Sequence, residues 1–242
     1  MPASLAPDEV QVWWARLDQP AESFAHLRSF LSDDEVRRGD RFVQPIHRDR
    51  FVAARGILRA ILGRLLARSP ASLTFDYSST GQPRLSGSSD DDPGVRFSVS
   101  HSGDMALYGI TLGRQVGVDL EVLRSIPDAA ALAGRFFSAA EQAALQALPD
   151  AARDTAFLAC WTRKEAYLKA VGVGIGSGLD GVEVDFASGQ PGAFALIGGQ
   201  IEAAARWTVE AVSPAAGFIG ALVCEGRDLR ITTQEWPAPQ HV

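Results

Sequence analysis

The stretch VGVDLEV, Val116 to Val122, alternates in a way that could do chemistry: Val116, Val118, Leu120 and Val122 face one side, and Gly117, Asp119 and Glu121 face the other. At a strand rise of about 3.3 Å per residue the two carboxylate-bearing residues stand ~6.6 Å apart on one face, which suits one hard cation. Oxygen-only ligation by one or two carboxylates, completed by water and substrate phosphate, is the usual Mg²⁺ arrangement. The same pair also fits the wet face of a half-buried strand, and Gly117 beside it permits close approach of a neighbour. A second stretch, FLACWTRKEAYLKAVGVGIGSG, reads as a helix that stops in a glycine run, with Glu165 and Lys169 four apart on one face. Functionally, Glu165 is a third carboxylate for the ion and Lys169 a cation for a phosphate oxygen; the plain alternative is a surface pair worth a few tenths of a kcal/mol. The third stretch is FSVSHSG, Phe97 to Gly103, which sets Phe97, Val99 and His101 on one strand face with His101 at the strand end. Ser100 beside His101 is no hydrolase pair, because strand neighbours point to opposite faces and no GxSxG elbow is present. Walker, GxGxxG, HExxH and paired CxxC motifs are missing from the sequence too, which removes the common nucleotide, zinc and redox readings.

The elements that must position these residues are written twice. LSDDEV and FSAAEQ are both capping-box patterns, with Ser32 or Ser138 at a helix N-cap and Glu35 or Glu141 three residues on, and they lie 106 residues apart. Nineteen residues after each serine comes Phe51 or Phe157, inside a long helix of roughly His47 to Arg68 or Ala151 to Val171. Beyond each helix stands a GQP turn, Gly81 to Pro83 and Gly189 to Pro191. Each half opens on a strand, Val10 to Leu17 or Val116 to Val122. Each closes on a strand pair, Val95 to His101 with Met105 to Leu112, or Trp207 to Val212 with Phe218 to Cys224. The shared offset predicts an α+β, pseudo-twofold duplicated fold: residues 1–113 and 114–242, each with a small antiparallel sheet packed by a long helix, and a cleft between them. Ser86 to Pro93 reads as an exposed loop, and the tail after Arg227 as irregular.

The chain has 242 residues, 46% hydrophobic and 21% charged, the composition of an ordinary folded protein. No apolar run approaches the ~20 residues of a membrane helix, and MPASLAPDEV has neither the basic start nor the apolar core of a signal peptide, so the expectation is a cytoplasmic protein with no membrane partner. Cys160 and Cys224 cannot build a disulfide framework and are expected to pack. The net charge of −6 argues against a nucleic-acid partner. Locally the balance differs: nine arginines between Arg37 and Arg68 face two acids, an excess that serves either an anionic ligand or a solvated helical face. Only two of the 23 basic residues are lysines, Lys164 and Lys169, in one motif.

In this order and spacing FSVSHSG, VGVDLE, FFSAAEQ and WTRKEAYLKAVGVGI resemble the Sfp-type 4′-phosphopantetheinyl transferases, most strongly from Arg41 to Ile175. That resemblance implies a pseudo-twofold fold with coenzyme A bound between the halves. It also implies Mg²⁺-dependent transfer of the phosphopantetheine arm to a serine of an apo acyl or peptidyl carrier protein, with release of adenosine 3′,5′-bisphosphate. Carried over residue by residue, Asp119, Glu121 and Glu165 match the metal ligands, and Glu165 is also a candidate base for the carrier serine. Lys169 matches the lysine on the pyrophosphate. Arg50, His101 and Ser100 match positions around the 3′-phosphate and its ribose, Arg41 falls near another basic position, and Thr80, Gly81 and Gln82 fall where backbone groups hold the adenine. The first half is thus the nucleotide side of the cleft and the second the metal and pyrophosphate side. The family often has GKP where this chain has Gly81-Gln82-Pro83, and some members have a lysine at the place of Pro45; Arg48 and Arg84 are the nearby cations. The carrier, whether of polyketide, peptide or fatty-acid synthesis, is not named by the sequence. A monomer is expected, because both sides of the cleft come from one chain. The alternatives are a metal-dependent hydrolase of coenzyme A or another pyrophosphate, and a non-catalytic carrier-binding module.

Overall fold

Both capping boxes close. Glu35 and Glu141 donate their backbone N–H groups to the Ser32 and Ser138 hydroxyls and reach back with their carboxylates to the serine N–H groups. In the computed structural model, which describes residues 5–87, 94–174, 179–185 and 194–237, these helix starts recur in two matching runs of elements. The first run is β1 (Glu9–Arg16), α1 (Ala21–Arg28), α2 (Asp33–Gly39), α3 (Pro45–Leu66), β2 (Phe75–Tyr77), β3 (Pro83–Leu85), β4 (Val95–Ser102) and β5 (Met105–Leu112). The second is β6 (Val116–Val122), α4 (Ala129–Phe136), α5 (Ala139–Ala147), α6 (Asp150–Val171), β7 (Val182–Val184), β8 (Phe194–Ile197), a short α7 (Ile201–Ala204), β9 (Trp207–Val212) and β10 (Phe218–Glu225), followed by β11 (Arg230–Glu235). α3 and α6 have 22 residues each. The strand orders correspond as well, β1-β5-β4 in one sheet and β6-β10-β9 in the other. Of the calls on loops, residues 88–93 and the second GQP turn lie outside the described residues.

One expectation fails. The tail after Arg227 is not irregular: β11 pairs parallel with β1, Glu9 opposite Arg230 through Trp14 opposite Glu235, so the first sheet reads β11-β1-β5-β4 and is not purely antiparallel. Beyond it the Trp236 N–H donates to the Trp14 carbonyl at 2.7 Å, and the Trp236 ring lies 6.1 Å from that of Trp13. RITTQE forms an outer edge strand with almost no apolar alternation, so the usual strand signal is weak there.

The layers run helix, sheet, sheet, helix. α3 packs Ala53, Ile57, Leu58 and Ile61 on Trp13, Ala15 and Tyr108 of the first sheet. α6 packs Phe157, Cys160 and Ala166 near Val209, Ala221 and Val223 of the second. Between the sheets lies a third core, in which Val10, Val12, Met105 and Leu107 meet Val116, Val118, Leu120 and Leu222. β5 therefore alternates between two cores and is buried on both faces. Cys160 and Cys224 are buried and free, in packing positions. Among the described residues no helix is long and apolar enough to cross a membrane.

The arginine excess is largely structural. Glu35, almost wholly buried, takes Arg55 Nε on one oxygen at 2.7 Å and Arg59 Nε on the other at 2.6 Å, and Arg59 also donates to the Pro70 and Leu73 carbonyls. Arg37 pairs with Asp34, Arg48 with Asp49 and Arg50 with Asp18. In the second half Lys164 of α6 pairs with buried Glu141 at 2.6 Å and donates to the Phe136 and Leu179 carbonyls. Each half thus ties its capping-box helix to its long helix through a buried, hydrogen-bonded ion pair.

Candidate active site

Where the two sheets meet, β4 and β6 lie side by side without a backbone ladder. The hydroxyls of Ser98, Ser100 and Ser102, every second residue of β4, accept the N–H groups of Val118, Leu120 and Val122 at 3.1, 3.3 and 3.1 Å. This serine alternation satisfies the β6 edge and presses polar side chains from one half onto the other. On its far face β6 carries α6 directly: a Cβ at Gly117 would stand 1.8 Å from the Ala166 carbonyl oxygen, so only glycine allows the contact. That approach brings Glu165 and Lys169 over Asp119.

The resulting group is compact and mostly buried. Asp119 Oδ1 accepts the Ser100 hydroxyl at 2.9 Å and the Lys169 ammonium at 2.7 Å, while Lys169 also donates to Ser100 Oγ at 2.9 Å. Ser100 Oγ thereby uses its one donor and both lone pairs within the site. Glu121, nearer the surface, accepts the Ser102 hydroxyl at 3.1 Å and Arg124 at 2.8 Å on Oε2. Asp119 and Glu165 are only 6% and 7% exposed, and each keeps one buried oxygen, Oδ2 and Oε1, without a partner. Burial pushes the Asp119 carboxyl above its ordinary value, against the pull of Lys169 and Ser100 and with a further push from Glu121. Burial, and then the Asp119 charge, push Glu165 up to about 7 although Lys169 opposes them.

Two orphaned carboxylate oxygens in one polar cluster are costly, and a hard divalent cation is the kind of partner that would satisfy such oxygens. The donor set is all oxygen, as Mg²⁺ requires. Among the described residues no three acidic, histidine or cysteine side chains form a ready-made cage, so an ion here would need water or substrate oxygens to complete its shell.

The remaining expected residues lie along the first half. His101 is exposed at the end of β4, and two residues on, at the β4–β5 turn, the Gly103 carbonyl accepts Arg50 Nη1 at 3.0 Å. Arg41 is exposed between α2 and α3. Thr80, Gly81 and Gln82 form the turn between β2 and β3, with Gly81 at φ +82°, the Gln82 N–H on the Ser78 hydroxyl, and Ser78 Oγ 2.7 Å from Thr80 Oγ1. From this turn a cavity of about 270 Å³ runs across the halves, with Ser78, Gln82 and Arg84 on one side and Gln115 and Lys169 to Gly172 on the other. Arg84 therefore faces the same space as Gln82, whereas Arg48 is engaged by Asp49 at 2.9 Å. The sequence reading did not single out Ser98, Ser102 or Asp18; for the serines the signal was their period of two.

The family described as the 4′-phosphopantetheinyl transferase superfamily matches residues 115–223. The 4′-phosphopantetheinyl transferase HetI of Nostoc sp. is 40% identical over 92% of this chain and 90% of its own length. The 4′-phosphopantetheinyl transferase psf-1 of Bacillus pumilus is 31% identical over 63% of each chain. The 4′-phosphopantetheinyl transferase Sfp of Bacillus subtilis is 24% identical over 72% of this chain and 76% of its own.

Proposed function

The chain belongs to the 4′-phosphopantetheinyl transferase superfamily, and from that premise we propose that its cleft carries the phosphopantetheine arm of coenzyme A to a serine of an apo acyl or peptidyl carrier protein. The observation that carries the site assignment is the buried Asp119, Glu165 and Lys169 group at the seam, with its two unpartnered carboxylate oxygens. The carrier serine oxygen bonds to the phosphorus that bears the pantetheine. The bridging P–O bond breaks, and its electrons leave on the 5′-phosphate of adenosine 3′,5′-bisphosphate. Glu165, buried beside Asp119 with its Oε1 unpartnered, takes the serine proton. Lys169 has a third N–H beyond those given to Asp119 and Ser100, and it donates this to the pyrophosphate. Asp119, Glu121 and Glu165 are the residues that would hold Mg²⁺, which would supply neutralisation of charge on the phosphate oxygens.

Ser100 orients Asp119 and Lys169 beside the phosphates. On the nucleotide side Arg50 and His101 hold the 3′-phosphate, Arg41 adds a cation, and the Thr80 to Gln82 turn receives the adenine, with Arg84 in place of the cation that Gln82 lacks. One chain supplies both sides of this cleft, which supports a monomer. Incubation with coenzyme A, Mg²⁺ and an apo carrier, followed by weighing the carrier, tests the reading. A gain of the phosphopantetheine mass supports transfer; consumed coenzyme with unmodified carrier indicates a hydrolase, and neither change indicates a binding module.

A further inference from the structure

We propose that Asp18 is a positioning residue for the nucleotide end of the cleft: its carboxylate holds the Arg50 guanidinium so that the unused N–H groups face a phosphate. The inference rests on the assignment of Arg50 to the 3′-phosphate. Arg50 leaves the second turn of α3 and is anchored at three points. Nε and Nη2 donate to the two oxygens of Asp18 at 2.7 and 2.8 Å, and Nη1 donates to the Gly103 carbonyl at 3.0 Å. A guanidinium has five N–H donors, so one remains on each terminal nitrogen, the pair that a phosphate takes in a two-point contact. Asp18 is ionised at neutral pH, since the hydrogen bonds from Arg50 hold its carboxyl below the ordinary value.

The clamp ties three segments together. Asp18 lies just past β1, Arg50 on α3, and Gly103 in the turn that follows His101. That turn, with Gly103 at φ +60°, is seated against the second half: a Cβ at Gly103 would stand 2.8 Å from Val122 Cγ2. Arg16 and Asp104 pair alongside at 2.7 Å, so two cations and two carboxylates balance locally. With no local excess of positive charge, the contribution of Asp18 has to be geometric: it lowers the charge a phosphate sees while fixing where the donors point. A clamp and a competitor for the phosphate therefore predict opposite signs for loss of the carboxylate.

Calorimetric binding of adenosine 3′,5′-bisphosphate and of adenosine 5′-monophosphate, which differ by the 3′-phosphate alone, decides between them. In Asp18→Asn the bisphosphate is expected to bind about tenfold more weakly, the size of one charge-assisted hydrogen bond, with the monophosphate unchanged and Asp18→Glu recovering part of the loss. Adding Asp18→Asn to Arg50→Ala is expected to cost nothing further. Tighter bisphosphate binding by Asp18→Asn, or equal loss for both nucleotides, overturns the clamp. If Arg50→Ala itself treats both nucleotides alike, the assignment of Arg50 falls and the clamp with it. A selective loss in Arg50→Ala beside a neutral Asp18→Asn overturns the role of Asp18 alone.

Discussion

Asp119 and Glu165 sit in the fold at a cost, because each buries an oxygen with nothing to bind and the charge of one raises the proton affinity of the other. A group kept against the stability of the protein has a use elsewhere. Glu165→Gln removes one of the two buried charges, so the metal-free variant is expected to melt at or above the temperature of the parent. Its transfer rate is expected to fall by roughly 10²- to 10³-fold, the size of losing one preorganised charged group. A calorimetric scan beside a carrier-modification assay checks both, and unchanged turnover removes the assignment. The serines separate structure from chemistry in the same way. Ser98→Ala and Ser100→Ala each leave a β6 N–H without its acceptor, a cost of about 1–3 kcal/mol read from denaturant midpoints. Only Ser100 also holds Asp119 and Lys169, so only Ser100→Ala is expected to lower kcat as well.

At the scale of elements, the buried ion pairs explain how each capping-box helix is fixed to its long helix. Burial alone would raise the Glu35 carboxyl, but Arg55, the Ser32 N–H and Arg59 outweigh it and hold the carboxyl below its ordinary 4.5. The sign follows from that direction: Glu35 stabilises the fold fully above pH ~4.5, and the contribution disappears as pH falls through the lower folded-state value. Glu35→Gln, which leaves two arginines buried without their charge partner, is expected to cost about 3–5 kcal/mol at neutral pH. The same variant is expected to show a shallower loss of stability below pH ~4.5, measured by urea midpoints against pH. The capping boxes were legible in the sequence because Ser-x-x-Glu is a local pattern with a local cause. The partners of the clustered arginines were not, because counting charge in a window says nothing about which helix turn meets which carboxylate. Period and spacing made legible that Asp119 and Glu121 share a strand face and Glu165 and Lys169 a helix face, whereas the contact of Asp119 with Lys169 and Ser100 needed the meeting of α6 and of two strands 20 residues apart in sequence.

Across the whole molecule the duplication was legible as a shared offset, but the two halves do not stand as separate units. The third core lies between the sheets, the serine hydroxyls of β4 complete the edge of β6, and β11 from the end of the chain completes the edge of β1. The first connection is long-range and the third uses a polar edge strand, so neither leaves a local pattern to read, and the serine period of two marks a strand face without naming the edge it meets. They also decide how the protein unfolds. A fragment of residues 1–113 would expose Val10, Val12, Met105 and Leu107 and leave β1 without β11, losing burial that comes to about 1.5–3 kcal/mol for each large apolar side chain. That loss is of the same size as the total stability of about 5–15 kcal/mol for a domain. The intact chain is therefore expected to unfold in one transition, with calorimetric and van't Hoff enthalpies equal, and the 1–113 fragment to lack a cooperative melt. Two resolved transitions in the intact chain, or a fragment that melts cooperatively by itself, would show that the cleft is built between independent halves and not held by one continuous core.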